Sequence, residues 1–181
     1  MADVIDRPSS PDQKRPETEP EEPIWDVIEL LFFAYRDFVS DADQVLANLG
    51  FGRAHHRVLH FVNRNPGMKV AELLEILRIT KQSLGRVLKT LVDEGYVEQR
   101  ETSLDRRQRL LHVTPKGHGL ALRLAQLQTV RLTRALSGLG PAAHETARQF
   151  LAAIIDPAER TAVLQFIAKA DESRRPGTHE S

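Results

Sequence analysis

The chain has 181 residues, with 25 Lys and Arg balanced by 25 Asp and Glu and with 41% hydrophobic residues, enough apolar material for one core and too much for disorder throughout. Cysteine is absent, which excludes disulfides, thiolate nucleophiles and Cys-built zinc sites and agrees with a reducing, cytoplasmic compartment. The longest apolar runs, 30–35 and 150–155, are far short of the ~20 residues that span a bilayer, and the acidic start lacks the positive and apolar regions of an export signal, so neither membrane insertion nor secretion is expected.

The zero net charge conceals an uneven layout. Residues 1–50 hold 4 basic and 12 acidic side chains, a balance of −8, whereas 51–119 carry +6 and 120–181 carry +2. A positive centre fits an anion-binding surface, and equally a solvated face.

Residues 1–22 place Pro8, Pro11, Pro16 and Pro20 among charged and small residues, a composition that cannot offset its ordering entropy and predicts a disordered arm. From Ile24 the apolar spacing turns helical: Ile24, Val27, Ile28 and Leu31, then Ala34, Tyr35 and Phe38, predict a long helix over about 24–48, closed by the glycines of Gly50-Phe51-Gly52. A second helix covers about 53–63, with Ala54, Val58, Phe61 and Val62 inward, before the turn Asn65-Pro66-Gly67.

Two short amphipathic helices follow, one carrying Val70, Leu73, Leu74 and Leu77 and the next Leu84, Val87, Leu88 and Leu91. Only Arg78-Ile79-Thr80 separates them, with Thr80 as N-cap, so they cross steeply, as in a helix-turn-helix. Beyond Glu94-Gly95, Tyr96 to Arg100 reads as a strand and Leu110 to Val113 as its partner. The polar loop between them completes a two-stranded wing. Thr114-Pro115 opens a helix reaching about Leu136, with the threonine as cap and the proline where its missing N–H costs nothing. Pro141 is read as the start of another helix, and Asp156-Pro157-Ala158-Glu159 as the cap, first-turn proline and capping-box glutamate of the last.

The fold class is therefore mainly α with a small β-wing: a winged helix-turn-helix over 51–114, a helical region over 23–50 and 115–172, and a loose tail over 173–181. Arg78-Ile79-Thr80-Lys81-Gln82-Ser83, Leu91-Val92-Asp93-Glu94-Gly95-Tyr96-Val97, Asp105-Arg106-Arg107 and Val113-Thr114-Pro115-Lys116-Gly117 follow the order and spacing of the MarR (multiple antibiotic resistance regulator) winged-helix proteins, which the chain resembles over roughly 24–171. The neighbourhood of Gly52 to His60 resembles a PetP-like branch of that family. The resemblance implies a homodimeric, DNA-binding transcriptional regulator whose first and last helices build the dimer.

The residues point the same way independently. With Leu84, Val87, Leu88 and Leu91 inward, the helix over 81–93 turns Lys81, Gln82, Ser83, Arg86 and Lys89 outward. Gln82, Ser83 and Arg86 suit base edges, since a glutamine amide can pair with adenine N6 and N7, and Lys81 and Lys89 suit phosphates. The plain alternative is a solvated helix face. Arg106, Arg107 and Arg109 crowd the hairpin beside Asp105, where an ordinary polar hairpin is the alternative. By resemblance, Asp105 braces Arg107, Arg107 enters the minor groove and Arg106 faces the backbone. Gly85 departs from the family habit of a side chain on that face: it either permits close approach to DNA or marks an absent contact.

Two recognition helices reach successive major grooves only if about 34 Å apart, so dimerisation belongs to the mechanism. Trp25, Phe32, Phe33, Tyr35 and Phe38 of the first helix, with the last two helices, offer apolar surface for it.

His55, His56 and His60 lack accompanying carboxylate or cysteine at ligand spacing, so neither a metal nor a cofactor is expected. Trp25, His55, His56 and Arg57 are candidates for an effector cleft, with satisfied structural polar groups as the other reading. No nucleophile elbow, phosphate-cradling loop or convergent acid–base pair is present, so no enzyme activity is expected. A winged-helix protein-interaction module without DNA binding is the competing function.

Overall fold

The computed structural model of the protein describes residues 22–101 and 109–173 and divides into two units, 1–35 and 36–181. The arm up to residue 21, the hairpin tip 102–108 and the tail from 174 onward lie outside the described residues.

In the first unit the described element is the opening of helix α1 (Trp25–Ala47), with Asp26 in the first turn, where a negative charge suits the helix dipole. Its large apolar side chains are exposed, Phe32 to 71% and Trp25 to 64%.

The second unit begins with the end of α1 and continues through α2 (Arg53–Arg64), β1 (Met68–Lys69), α3 (Val70–Leu77), α4 (Lys81–Asp93), β2 (Val97–Glu101), β3 (Arg109–Val113), α5 (Pro115–Ser137), α6 (Ala143–Ile154) and α7 (Pro157–Glu172). Its core is aliphatic: Leu46, Val58, Leu59, Val62, Leu73, Leu84, Leu91, Leu111 and Leu124 are fully buried, each leucine contributing about 1.5–3 kcal/mol by leaving water. All the inward positions expected in α4 are buried. In α2, Leu59 joins Val58 and Val62, and the polar His56 and Asn63 are buried with them.

The sheet has three antiparallel strands in the order β1-β3-β2, not the two expected. Met68 lies opposite Leu111, and β2 runs against β3 from Val97 opposite Val113 to Glu101 opposite Arg109. Two residues are too few for periodicity to reveal β1. It is held by Gly67, whose positive φ of 84° turns the chain and whose N–H donates to the Leu111 carbonyl at 2.9 Å.

Around Thr114 the sequence signature acquires a physical reason. The Thr114 hydroxyl accepts the Gly117 N–H at 3.1 Å and donates to the Gly95 carbonyl at 2.7 Å, so one side chain both caps α5 and ties it to the turn after α4. A Cβ on Gly117 would stand 1.9 Å from the Tyr96 carbonyl oxygen. Only glycine lets the two backbones come this close.

Helix α6 starts two residues later than Pro141, after a turn in which Gly140 takes φ 92°. Asp156 caps α7 by accepting the Ala158 N–H at 2.9 Å. Glu159, expected to complete the capping box, instead ion-pairs with Arg78. Further along α7, Phe166 meets Phe61 at 6.2 Å between ring centroids and Asp171 accepts from Arg64 at 2.7 Å, so the helix lies along α2.

Candidate nucleic-acid interface

The turn between α3 and α4 is fixed on three sides. Arg78 closes α3 in the left-handed conformation, φ 50° and ψ 45°, with its N–H on the Leu74 carbonyl at 2.9 Å. A non-glycine residue adopts this conformation at a cost of about 1–2 kcal/mol. Arg57 reaches from α2 to donate to the Leu77 carbonyl at 3.1 Å, satisfying an acceptor that the end of a helix leaves without a partner. Thr80 then opens α4: its hydroxyl accepts the Ser83 N–H at 3.1 Å and donates to the Ser83 hydroxyl at 2.9 Å.

With its start pinned and Leu84, Val87, Leu88 and Leu91 buried, α4 turns a defined face outward: Lys81, Gln82, Gly85, Arg86 and Lys89 are exposed. Among the described residues the side chains of Lys81, Gln82 and Arg86 have no hydrogen-bond or ion-pair partner. Lys89 is held by Asp93 one turn on, at 2.5 Å. Ser83 is half-buried and occupied by the cap. Gly85 is exposed in mid-helix, where it costs about 1 kcal/mol relative to alanine.

On the hairpin, Arg109 lies within β3, opposite Glu101, and donates to the Gln99 side-chain oxygen at 3.1 Å. It is part of the ladder and not of the loop. Arg100 is paired with Glu98 at 2.5 Å. Asp105, Arg106 and Arg107 lie outside the described residues.

Of the residues expected to form an effector cleft, His55, His56 and Arg57 lie on α2. The Nδ1 of His55 accepts the Gly52 N–H at 3.1 Å, and its ring stacks on Phe51 at 4.8 Å; burial pushes its pKa down. His56 is 9% exposed, and burial lowers its pKa too, opposed by the charge of Asp43. Arg57 serves the end of α3. Trp25 is exposed in the first unit. His55, His56 and Arg57 do not line the cleft of about 470 Å³ bounded by Asp41, Arg123, Leu127, Val130 and Arg134. Among the described residues no three His, Asp or Glu side chains cluster as metal ligands would.

The sequence places Arg78 at the start of the turn without revealing its left-handed backbone or its pairing with Glu159. Its place one residue beyond the last apolar position of α3, Leu77, is the signal that marks a helix C-terminus.

Residues 49–108, spanning the helix-turn-helix and most of the hairpin, match the model of the MarR family. Over 133 residues the chain is 50% identical to the HTH-type transcriptional regulator PetP of Rhodobacter capsulatus, an alignment that covers 74% of this chain and 80% of that protein. The chain belongs to the MarR family. Its fold is similar to that of Streptococcus pneumoniae FabT, solved in complex with DNA, at a TM-score of 0.64 and 16% identity over 81% of this chain and 99% of FabT. It is also similar to a MarR variant from E. coli complexed with operator DNA, at a TM-score of 0.56 and 21% identity over 75% of this chain and all of that one. This MarR-family chain is a transcriptional regulator of that type. No helix among its described residues is long and apolar enough to cross a membrane.

Proposed function

We propose that the protein acts in the cytoplasm as a homodimer that binds a pseudo-palindromic operator and alters transcription by occupying it. One observation carries the reading: a capped helix, seated on a leucine-rich core, presents Lys81, Gln82 and Arg86 outward with no partner among the described residues. Gln82 and Arg86 supply donors and acceptors suited to base edges in the major groove, and Lys81 supplies charge for the phosphates. Ser83 accepts from Thr80 and keeps its own O–H to donate to a base, and Lys89, with one of its three N–H donors on Asp93, keeps the others for a phosphate. As the family resemblance implies, Arg107 braced by Asp105 would enter the flanking minor groove and Arg106 would face the backbone, with Arg109 in β3 adding positive charge to the hairpin.

Dimerisation follows from the need for two recognition helices about 34 Å apart. Support comes from the exposed apolar side chains of α1, Trp25, Leu30, Phe32 and Phe33, and of α6, Phe150, Leu151 and Ile154. Single exposed apolar residues are ordinary, but a run of this length on one helix marks an association surface.

The test is a footprint by the intact protein on the DNA flanking its own gene. The account expects two protected half-sites about one helical turn apart, and light scattering that gives the mass of a dimer. A protein-interaction module would leave that DNA unprotected at every concentration. Replacing Phe32 and Leu151 by Asp should shift the mass toward the monomer and remove the paired footprint together.

A further inference from the structure

The fold explains five of the nine glycines among the described residues. Gly50, Gly67, Gly95 and Gly140 occupy positive φ, and Gly117 is required by the Tyr96 carbonyl. Gly85 is different. It takes ordinary helical backbone angles, and a Cβ built on it meets nothing within 4 Å. Nothing in the described fold calls for a glycine there, and alanine would make a better helix. Gly119 on α5 is equally unconstrained, but Gly85 lies on the exposed face of α4, where its bare backbone meets whatever approaches that face.

That face narrows the choice. Gly85 stands one turn beyond Gln82, next to Arg86 and one turn before Lys89, so it is a gap in a ridge of long polar side chains. As the fifth residue of the helix its N–H is already committed to the carbonyl four residues back. It can offer a phosphate no hydrogen bond. What the gap does offer is room and a C–H surface. In the major groove the group that projects furthest without hydrogen-bonding capacity is the C5-methyl of thymine. One helical turn advances about 5.4 Å, which carries the contact from the base met by Gln82 to a neighbouring step.

We propose that Gly85 is a specificity-determining position: the notch it leaves between Gln82, Arg86 and Lys89 admits a thymine methyl group, and a side chain at 85 would collide with that methyl. The proposal rests on the DNA-binding reading of α4 and adds to it the base that the bare backbone selects.

The experiment begins with duplexes enriched from a random-sequence pool by the full-length wild-type protein. Thymines of the enriched site are then replaced one at a time by deoxyuridine, which removes only the methyl. The expected result is one thymine per half-site whose methyl is worth about fourfold in affinity, the value of one buried methyl group. Gly85→Ala should raise Tm by about 2–4 °C and lower affinity for the enriched site by about 5- to 100-fold, the scale of one mismatched base pair. Deoxyuridine at that one position should return the Gly85→Ala protein toward wild-type affinity. Gly119→Ala is the control: Gly119 is also an exposed helical glycine in open space, and its alanine variant should gain stability with unchanged DNA binding. Binding by Gly85→Ala within about twofold of wild type, or an equal loss on the thymine and deoxyuridine duplexes, overturns the proposal. Failure of the wild-type protein to enrich any sequence removes the DNA-binding reading itself, and with it this inference.

Discussion

The guanidinium of Arg78, at the turn that precedes α4, is ion-paired with the carboxylate of Glu159 in the first turn of α7. The last helix thus neutralises a cation two residues before the cap of α4. A second pair, Arg64 with Asp171, ties the other end of α7 to α2.

Both partners of the first pair are exposed, Arg78 to 69% and Glu159 to 47% of their side-chain area, so its contribution to stability is at most about 1 kcal/mol. Its larger effect is on charge beside the face of α4 proposed to bind DNA. Glu159→Gln is expected to leave the urea midpoint nearly unchanged, to raise affinity for duplex DNA at low salt, and to steepen the slope of log K against log[salt] by about 0.9 if the freed Arg78 takes a phosphate. Adding Arg78→Ala should remove that gain. Fluorescence anisotropy across a salt series measures both.

Gly117→Ala is expected to be among the most damaging single-atom-scale changes in the chain. Its Cβ would fall 1.9 Å from a backbone oxygen, and backbone cannot move aside as a flexible side chain can. Overpacking of this kind costs about 1–3 kcal/mol and sometimes more. Thr114→Ala should cost about 1 kcal/mol for the lost cap, with a further loss because the Gly95 carbonyl is deprived of its donor. Urea denaturation of the two variants separates these effects.

Stability should fall in mild acid. His55, His56 and His112 all have pKa values lowered from the ordinary 6.5, chiefly by burial. The unfolded chain therefore takes up protons at a pH where the folded chain still resists them, so the contribution is fully present above about pH 6.5 and is lost as pH falls below it. At His55 protonation would also turn the acceptor of the Gly52 N–H into a donor. The urea midpoint should decrease between about pH 7.5 and pH 5.5, and His56→Gln should flatten that decrease while lowering the midpoint at the higher pH.

The helical framework was legible because its periodicity is strong and its caps are chemically explicit. Thr80, Thr114 and Asp156 each accept the N–H that their position in the sequence requires. Less legible was whatever depends on a partner distant in sequence. β1 is two residues long and exists because β3 lies beside it. Arg109 continues β3 because Glu101 and Gln99 face it across the ladder. Glu159 leaves its capping box for Arg78, 81 residues away in the chain. In the candidate site, the outward positions of Lys81, Gln82, Arg86 and Lys89 follow from the spacing of four apolar residues alone. The involvement of Ser83 with Thr80 and of His55 with Gly52 does not, since a short polar side chain can serve its own backbone or project outward with the same spacing.

The central claim is that the outward face of α4 reads duplex DNA. Its most direct test is an anisotropy titration of the intact protein and its Gln82→Ala and Arg86→Ala variants, on an enriched duplex and on a scrambled one, from about 50 to 200 mM salt. The account predicts a wild-type preference for the enriched duplex that each substitution reduces by about 5- to 150-fold, while the weaker, salt-sensitive binding to the scrambled duplex changes little for Gln82→Ala. Wild-type protein that binds neither duplex at the lowest salt, or variants that keep the full preference, would contradict it.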